Sequence, residues 1–342
     1  MTDTLSLPHG ANLTRRPRIG FLGVGWIGRN RMEAMLATGA IEAAAIVEPN
    51  DAMAEGALAL APRAARAHSL AELLAQDLDG IVIATPSAMH ADQCLQALDA
   101  GVAVFCQKPL GRTVAENRAV VEAARANDLL LGVDFSYRHT RGMASIRDLV
   151  TGGELGPVHA VDLTFHNAYG PDKAWFYDPR QSGGGCVMDL GIHLVDLALW
   201  VLDFPQVRAV SAHLFADGAP IEAASDRVED YAVATLELAS GTVVRLACSW
   251  RLNAGCDAVI AAEFYGPRGG ASFRNVAGSF YDFTAERFRG TARETLAVPP
   301  DAWGGRAAAA WGERLARGAG YDPAADRLVD IAAVIDRLYG RG

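Results

Sequence analysis

Residues 18–35 read "RIGFLGVGWIGRNRMEAM", a short apolar run followed by Gly23-x-Gly25-x-x-Gly28 and then by a segment of helical character. Few local patterns restrict a fold more. Glycines at this spacing permit a tight strand-to-helix turn, let backbone N–H groups approach a pyrophosphate, and let the helix pack close on the strand; the helix N-terminus favours the anion. Gly23, Gly25, Trp26, Ile27 and Gly28 are therefore the first candidates for dinucleotide contact. Glycine triplets are common at turns, so the surroundings must decide.

Those surroundings agree. Apolar runs at 18–22, 42–47, 80–84, 102–105 and 129–133 alternate with Ala- and Leu-rich segments at 28–38, 89–100 and 114–127, whose apolar residues recur every third or fourth position. Such alternation predicts a parallel sheet with helices on both faces. After about residue 140 the rhythm changes. One helical segment at 185–202 precedes strand-like runs at 207–215, 230–238, 242–250 and 258–266, which predict hairpin-joined antiparallel strands, and a final helix is expected over 324–339. The 342 residues are more than one core usually holds, so the expected division is a loose tail at 1–16, a dinucleotide-binding domain at 17–138 and a second α/β domain at 139–342.

A formal charge of −9 argues against nucleic-acid or acidic-membrane partners and leaves a small molecule as the expected one. The five cysteines are odd in number and never spaced C-x-x-C, so neither a disulfide framework nor a zinc site is expected, and the compartment reads as the reducing cytoplasm. "LTRRPRIGFLGVG" carries two arginines ahead of an apolar run, yet that run is better used as a strand than as an export signal. No stretch holds the roughly 18 consecutive apolar residues of a membrane helix.

Glu48 ends the second strand twenty residues beyond Gly28, where a carboxylate accepts hydrogen bonds from adenosine ribose hydroxyls. It also repels a 2′-phosphate, so NAD is expected over NADP. Two more loops leave the carboxyl edge of the sheet: "TPSAMH" with Thr85, Pro86 and His90, and "CQKPLG" with Gln107 and Lys108. An ammonium at that edge can hydrogen-bond a substrate hydroxyl and stabilise the alkoxide that develops as hydride leaves. His90 is expected either near the cofactor or as a local hydrogen-bonding group. None of the eight histidines falls in an H-E-x-x-H or comparable pattern, so no metal is expected.

"GGGCVMDLGIHLVD" (183–196) holds the rest of the candidate chemistry. If 186–202 is helical, Asp189 and His193 share a face one turn apart. Imidazole titrates near working pH, which suits His193 as the base for a hydroxyl proton. Asp189 is expected to orient that ring or to meet a second substrate hydroxyl. Asp196 is read as structural, satisfying backbone or an arginine at the domain boundary. Gly183, Gly184 and Gly185 fit a close approach to nicotinamide or a plain entry into the helix. Upstream, Tyr169, Lys173 and Trp175 are candidates for the wall and rim of a polyol pocket.

Taken in order, "GVGWIG", "VEP", "TPSAMH", "CQKPLG", "FSYRH" and "SGGGCVMDLGIHLVD" make the chain, from about residue 17 to near its end, resemble the Gfo/Idh/MocA oxidoreductases. The resemblance implies an N-terminal Rossmann domain with a doubly wound parallel sheet, and a C-terminal α/β domain with a large, mostly antiparallel open sheet. In the family that sheet usually serves oligomerisation, so a homodimer or homotetramer is implied. It matches the family's Glu-Lys-Pro motif to Gln107, Lys108 and Pro109, its Asp-x-x-x-His pair to Asp189 and His193, and a cofactor-side arginine to Arg138. Gln107 departs from the common Glu, which removes a charge beside Lys108. The implied activity is NAD(P)-dependent hydride transfer at a secondary hydroxyl or carbonyl of a sugar, cyclitol or related polyol. An NAD-dependent glycoside hydrolase and a non-catalytic NAD-sensing regulator are the alternatives on the same scaffold.

Overall fold

The computed structural model describes residues 15–222 and 226–341, so most of the expected tail lies outside the described residues. Six strands form the first sheet: β1 (Arg18–Leu22), β2 (Glu42–Val47), β3 (Ala65–Ala67), β4 (Gly80–Ile83), β5 (Ala103–Cys106) and β6 (Leu131–Val133). All pairs are parallel, in the order β3-β2-β1-β4-β5-β6. Every residue of β4 and β5 is buried, as expected of strands covered on both faces. Helices α1 (Trp26–Ala37), α2 (Asp51–Leu60), α3 (Leu70–Leu74), α4 (Ser87–Asp99) and α5 (Val114–Ala126) connect them. Strand order reverses between β1 and β4, which opens a crevice at their carboxyl ends. The alternation in the sequence predicts this sheet correctly, apart from β3, α2 and α3. The sequence "ARA" of β3 has no apolar run, and it forms a strand by pairing along β2.

Helix α6 (Arg141–Thr151) leads into the second sheet, whose strands are β7 (Ala160–Asn167), β8 (Val207–Ala216), β9 (Ala219–Ile221), β10 (Tyr231–Leu238), β11 (Val243–Ser249), β12 (Ala258–Gly266), β13 (Gly269–Asn275), β14 (Phe283–Arg289) and β15 (Ala292–Ala297). Their order is β15-β14-β13-β12-β7-β11-β10-β8-β9, antiparallel except for β7 beside β11. Burial alternates along β10 and β12, because one face carries the domain core and the other lies open. Between β7 and β8 run α7 (Pro179–Ser182), a π-type turn at Val187–Gly191 and α8 (Ile192–Val201). The span Pro179–Val201 has the length and composition of a membrane helix, but 89% of its most apolar window is buried inside the fold.

The last two helices, α9 (Arg306–Ala316) and α10 (Arg327–Leu338), revise the division at residue 138/139. α9 returns to the first domain and packs on α1, and Trp311 joins the cluster of Ile19, Phe21 and Val82. A Cβ at Gly132 would come within 2.7 Å of the Trp311 indole, and one at Gly80 within 2.6 Å. The first sheet is thus roofed on one side by chain from 306–316. Helix α10 packs on α5, α8 and β8, where the two layers meet.

Candidate functional site

Each glycine of the first turn has its own steric reason. Gly23 has φ +83° and lies against the carbonyl of Ala84; a Cβ at Gly28 would meet the Gly23 carbonyl at 2.0 Å, so helix and turn could not close together. A Cβ at Gly25 meets nothing nearer than 3.8 Å, which leaves open space at the N-terminus of α1. That space, faced by backbone N–H groups, fits a pyrophosphate. Trp26 is exposed and Ile27 half-buried in the first turn of α1. At the end of β2, the Glu48 carboxylate accepts from the backbone N–H of Val24 (3.0 Å) and of Asn50 (3.1 Å). The expected ribose-binding acid is therefore held against the glycine turn.

The loops after β4 and β5 are tied together by His90, and its predicted cofactor contact is corrected here. The ring is 1% exposed, with Nδ1 2.6 Å from the Pro109 carbonyl and Nε2 2.7 Å from the Thr85 carbonyl. Both nitrogens are engaged by backbone, so no ring atom remains for a ligand; the local alternative holds. Burial lowers its pKa, against the two carbonyls, which favour the protonated ring. The Thr85 hydroxyl donates to Gln93 Oε1 at 2.6 Å, and Pro86 caps α4.

Lys108 reaches across the cleft between the domains. Its Nζ lies 2.6 Å from Asp189 Oδ1 and 2.8 Å from the Asp189 carbonyl oxygen, and Trp250 Nε1 donates to Asp189 Oδ2 at 3.0 Å. Both carboxylate oxygens are thereby taken. Asp189 lies in the π-type turn and makes no hydrogen bond to His193, so its expected role as the ring's orienter is corrected. It positions Lys108 instead. An ammonium has three N–H donors, and two point at Asp189, which leaves one for a substrate oxygen.

His193, in the first turn of α8, is 8% exposed and lies edge-on or tilted to the rings of Phe135, Tyr137 and Phe165. Its Nδ1 is buried and has no hydrogen-bond partner. Burial first, then the charges of Lys108 and Arg31, hold its pKa well below the ordinary value of 6.5. The imidazole is thus neutral near pH 7, the form that accepts a proton.

Arg138 is a third correction. Its guanidinium pairs with Asp196 through Nε at 2.9 and 3.0 Å and through Nη2, and lies over the rings of Phe135, Trp200 and Phe204. A cation neutralised by a buried carboxylate and enclosed by aromatic rings seals the domain junction rather than facing the cofactor. Asp196 accordingly meets the arginine expected of it. The three glycines before the turn serve packing: a Cβ on Gly184 would strike the Tyr339 hydroxyl at 2.0 Å, and one on Gly185 the Glu229 carbonyl at 1.9 Å.

In the 167–179 loop, Tyr169 is 52% exposed and lies near Phe280, and Lys173 pairs with Asp172. Trp175 stacks on Phe176, whose ring meets Trp250 edge-on. Sequence reasoning passed over Trp250, Arg31 and Asp134. Trp250 follows β11 immediately, and an indole at a strand end is the signal that marks it; Arg31 and Asp134 lie 103 residues apart and carry no motif. Among the described residues, no three His, Cys, Asp or Glu side chains gather as a metal site.

Residues 17–135 match "Oxidoreductase family, NAD-binding Rossmann fold", and residues 143–272 match "GFO/IDH/MocA C-terminal domain". The chain belongs to the Gfo/Idh/MocA oxidoreductases. Among relatives of this family, D-glucoside 3-dehydrogenase of Escherichia coli (strain K12) is 31% identical over 212 residues, which is 59% of this chain and 60% of that protein. Inositol 2-dehydrogenase of Rhizobium meliloti (strain 1021) is 28% identical over 258 residues, 75% of this chain and 76% of that one. The overall fold is also that of levoglucosan dehydrogenase, solved with NADH and levoglucosan, which superposes with a TM-score of 0.81 over 96% of this chain and 97% of that chain, at 19% identity.

Proposed function

We propose that this Gfo/Idh/MocA protein transfers hydride between a nicotinamide dinucleotide and a secondary hydroxyl or carbonyl of a sugar, cyclitol or related polyol. The observation that carries the reading is the Lys108–Asp189 bridge, which leaves one ammonium N–H free at the carboxyl edge of a dinucleotide sheet, while the Lys108 charge, after burial, helps keep the His193 imidazole neutral. The relatives' names point to the same substrate class, D-glucosides, inositol and levoglucosan.

Gly23, Gly25, Trp26, Ile27, Gly28, Glu48, Thr85, Pro86 and Gln107 border the space for the dinucleotide. The group supplies the hydride acceptor or donor when bound. His193 takes the hydroxyl proton, and Lys108 steadies the oxygen as negative charge develops on it. Asp189, with Trp250 on its other oxygen, keeps the ammonium in place. Tyr169 and Trp175 stand at the rim, where aromatic surface suits a polyol. Glu48 supports NAD over NADP, since a carboxylate repels a 2′-phosphate.

Self-association is proposed through the open face of the second sheet, where Val233 and Val243 are 38% and 41% exposed. Five free cysteines, four of them buried, accord with a reducing compartment such as the cytoplasm. The test of activity is a panel of sugars, glycosides and cyclitols with NAD and with NADP, followed by absorbance of the reduced nicotinamide. Turnover with a polyol is expected. Cleavage of a glycoside without net reduction, or binding of NAD with no turnover of any polyol, would replace the reading.

A further inference from the structure

Gln107 sits beside a buried ion pair that no motif announces. Asp134 follows β6, is 1% exposed, and receives on its Oδ2 both Arg31 Nε from α1 and Gln107 Nε2 from the loop after β5, each at 2.6 Å. Arg31 is itself 6% exposed, with Nη1 on Asn30 Oδ1 at 2.8 Å. A carboxylate accepts and cannot donate, so it decides which end of the neighbouring amide turns toward it. Gln107 Nε2 is committed to Asp134, and Oε1 is left on the opposite side of a half-buried residue, with no partner among the described residues. The residue next in sequence is Lys108.

We infer that Asp134, neutralised by Arg31, is a positioning residue that locks the Gln107 amide so that its oxygen faces the cofactor cleft as a neutral acceptor. The inference rests on the proposed dinucleotide reading of that cleft. Its ligand chemistry is a hydroxyl or amide N–H donor on the nicotinamide half of the dinucleotide. The departure from the family's Glu then has a physical cause. A glutamate at 107 would put a second carboxylate at hydrogen-bond distance from Asp134 in a buried setting, where like charges repel strongly. In this chain the negative charge stands on Asp134 at the end of the adjacent strand and not on the residue beside Lys108, and Arg31 accompanies it. Arg31 also contributes, after burial and Lys108, to the lowering of the His193 pKa.

The experiment is a charge exchange across one hydrogen bond, read by NADH fluorescence titration, by separate KM and kcat, and by Tm. Gln107→Glu, which restores the family residue, is expected to weaken NADH binding at least about tenfold. Gln107→Glu combined with Asp134→Asn again leaves one carboxylate, beside Arg31 and facing an amide donor, and is expected to bind within about threefold of wild type. Asp134→Asn alone, which keeps the shape but frees the Gln107 amide to turn, is expected to weaken binding about tenfold and serves where Gln107→Glu does not fold. Wild-type binding by Gln107→Glu or by Asp134→Asn overturns the inference, as does a double variant that binds no better than Gln107→Glu. Failure of the wild-type protein to bind NADH or NADPH overturns the reading of the cleft, and the inference with it.

Discussion

Lys108 Nζ and Asp189 Oδ1 stand 2.6 Å apart although one leaves the last loops of the first sheet and the other lies in the second domain's buried helix. Both side chains are less than one-fifth exposed. The contact joins the two domains at the point where the proposed reaction puts the substrate oxygen, and it holds the ammonium without consuming its third donor.

Lys108→Met removes that donor and leaves Asp189 with only Trp250. Steady-state kinetics should show kcat lower by about a hundredfold or more, the size of effect found when one donor to a developing oxyanion is lost. Asp189→Asn should reduce kcat less, because Lys108 keeps the Asp189 carbonyl as a partner.

His193→Ala is expected to retain dinucleotide binding while hydride transfer falls at least about a hundredfold, a usual general-base contribution. Single-turnover absorbance with saturating cofactor separates the two effects. Near-normal turnover removes His193 from its role.

The same histidine makes a pH prediction for stability. Its native pKa lies below the unfolded value near 6.5, so below that pH the unfolded chain binds a proton that the native protein refuses. The contribution is absent above about 6.5 and destabilises as pH falls through it. Buried Asp196 and Glu229 have raised pKa values and contribute with the opposite sign, so wild type must be compared with His193→Asn at each pH. From pH about 7.5 to 5.5 the Tm of wild type should fall more than that of the variant.

His90→Ala leaves the carbonyls of Thr85 and Pro109 without their common partner. Chemical denaturation should show a loss of about 2 kcal/mol, and kcat should fall several-fold although His90 touches no ligand. Unchanged kcat would mean that the Lys108 loop holds its place without the tie.

Val233→Arg puts a charge on the open sheet face. Light scattering should report the wild-type chain as an oligomer and the variant as a smaller species of unchanged far-UV circular dichroism. A monomeric wild type would overturn the proposed self-association, and an oligomer that survives Val233→Arg would place the interface on another face.

Much of this was legible in the order of residues because it is local. A strand, a turn and a helix follow one another within a single short unit, and the tightest steric demand on Gly28 comes from the Gly23 carbonyl in that same unit, although Gly23 is also pressed by Ala84, just after the neighbouring strand β4. Lys108, Asp189 and His193 stood out as polar groups in loops or apolar helices, where burial without purpose is costly. The partners of those groups depend on distance in space. Whether Asp189 meets His193 or Lys108 turns on a π-type turn and on the approach of two domains. Arg138 looks like a cation for the cofactor until the fold gives it Asp196 and three aromatic rings. Arg31, Gln107 and Asp134 are one hydrogen-bonded group built from three separate elements, and α9 completes a sheet that began almost three hundred residues earlier. Local conformation follows from backbone sterics and the period of apolar side chains; the choice among possible ionic partners follows from which of them the packed core brings within 3 Å and shields from water.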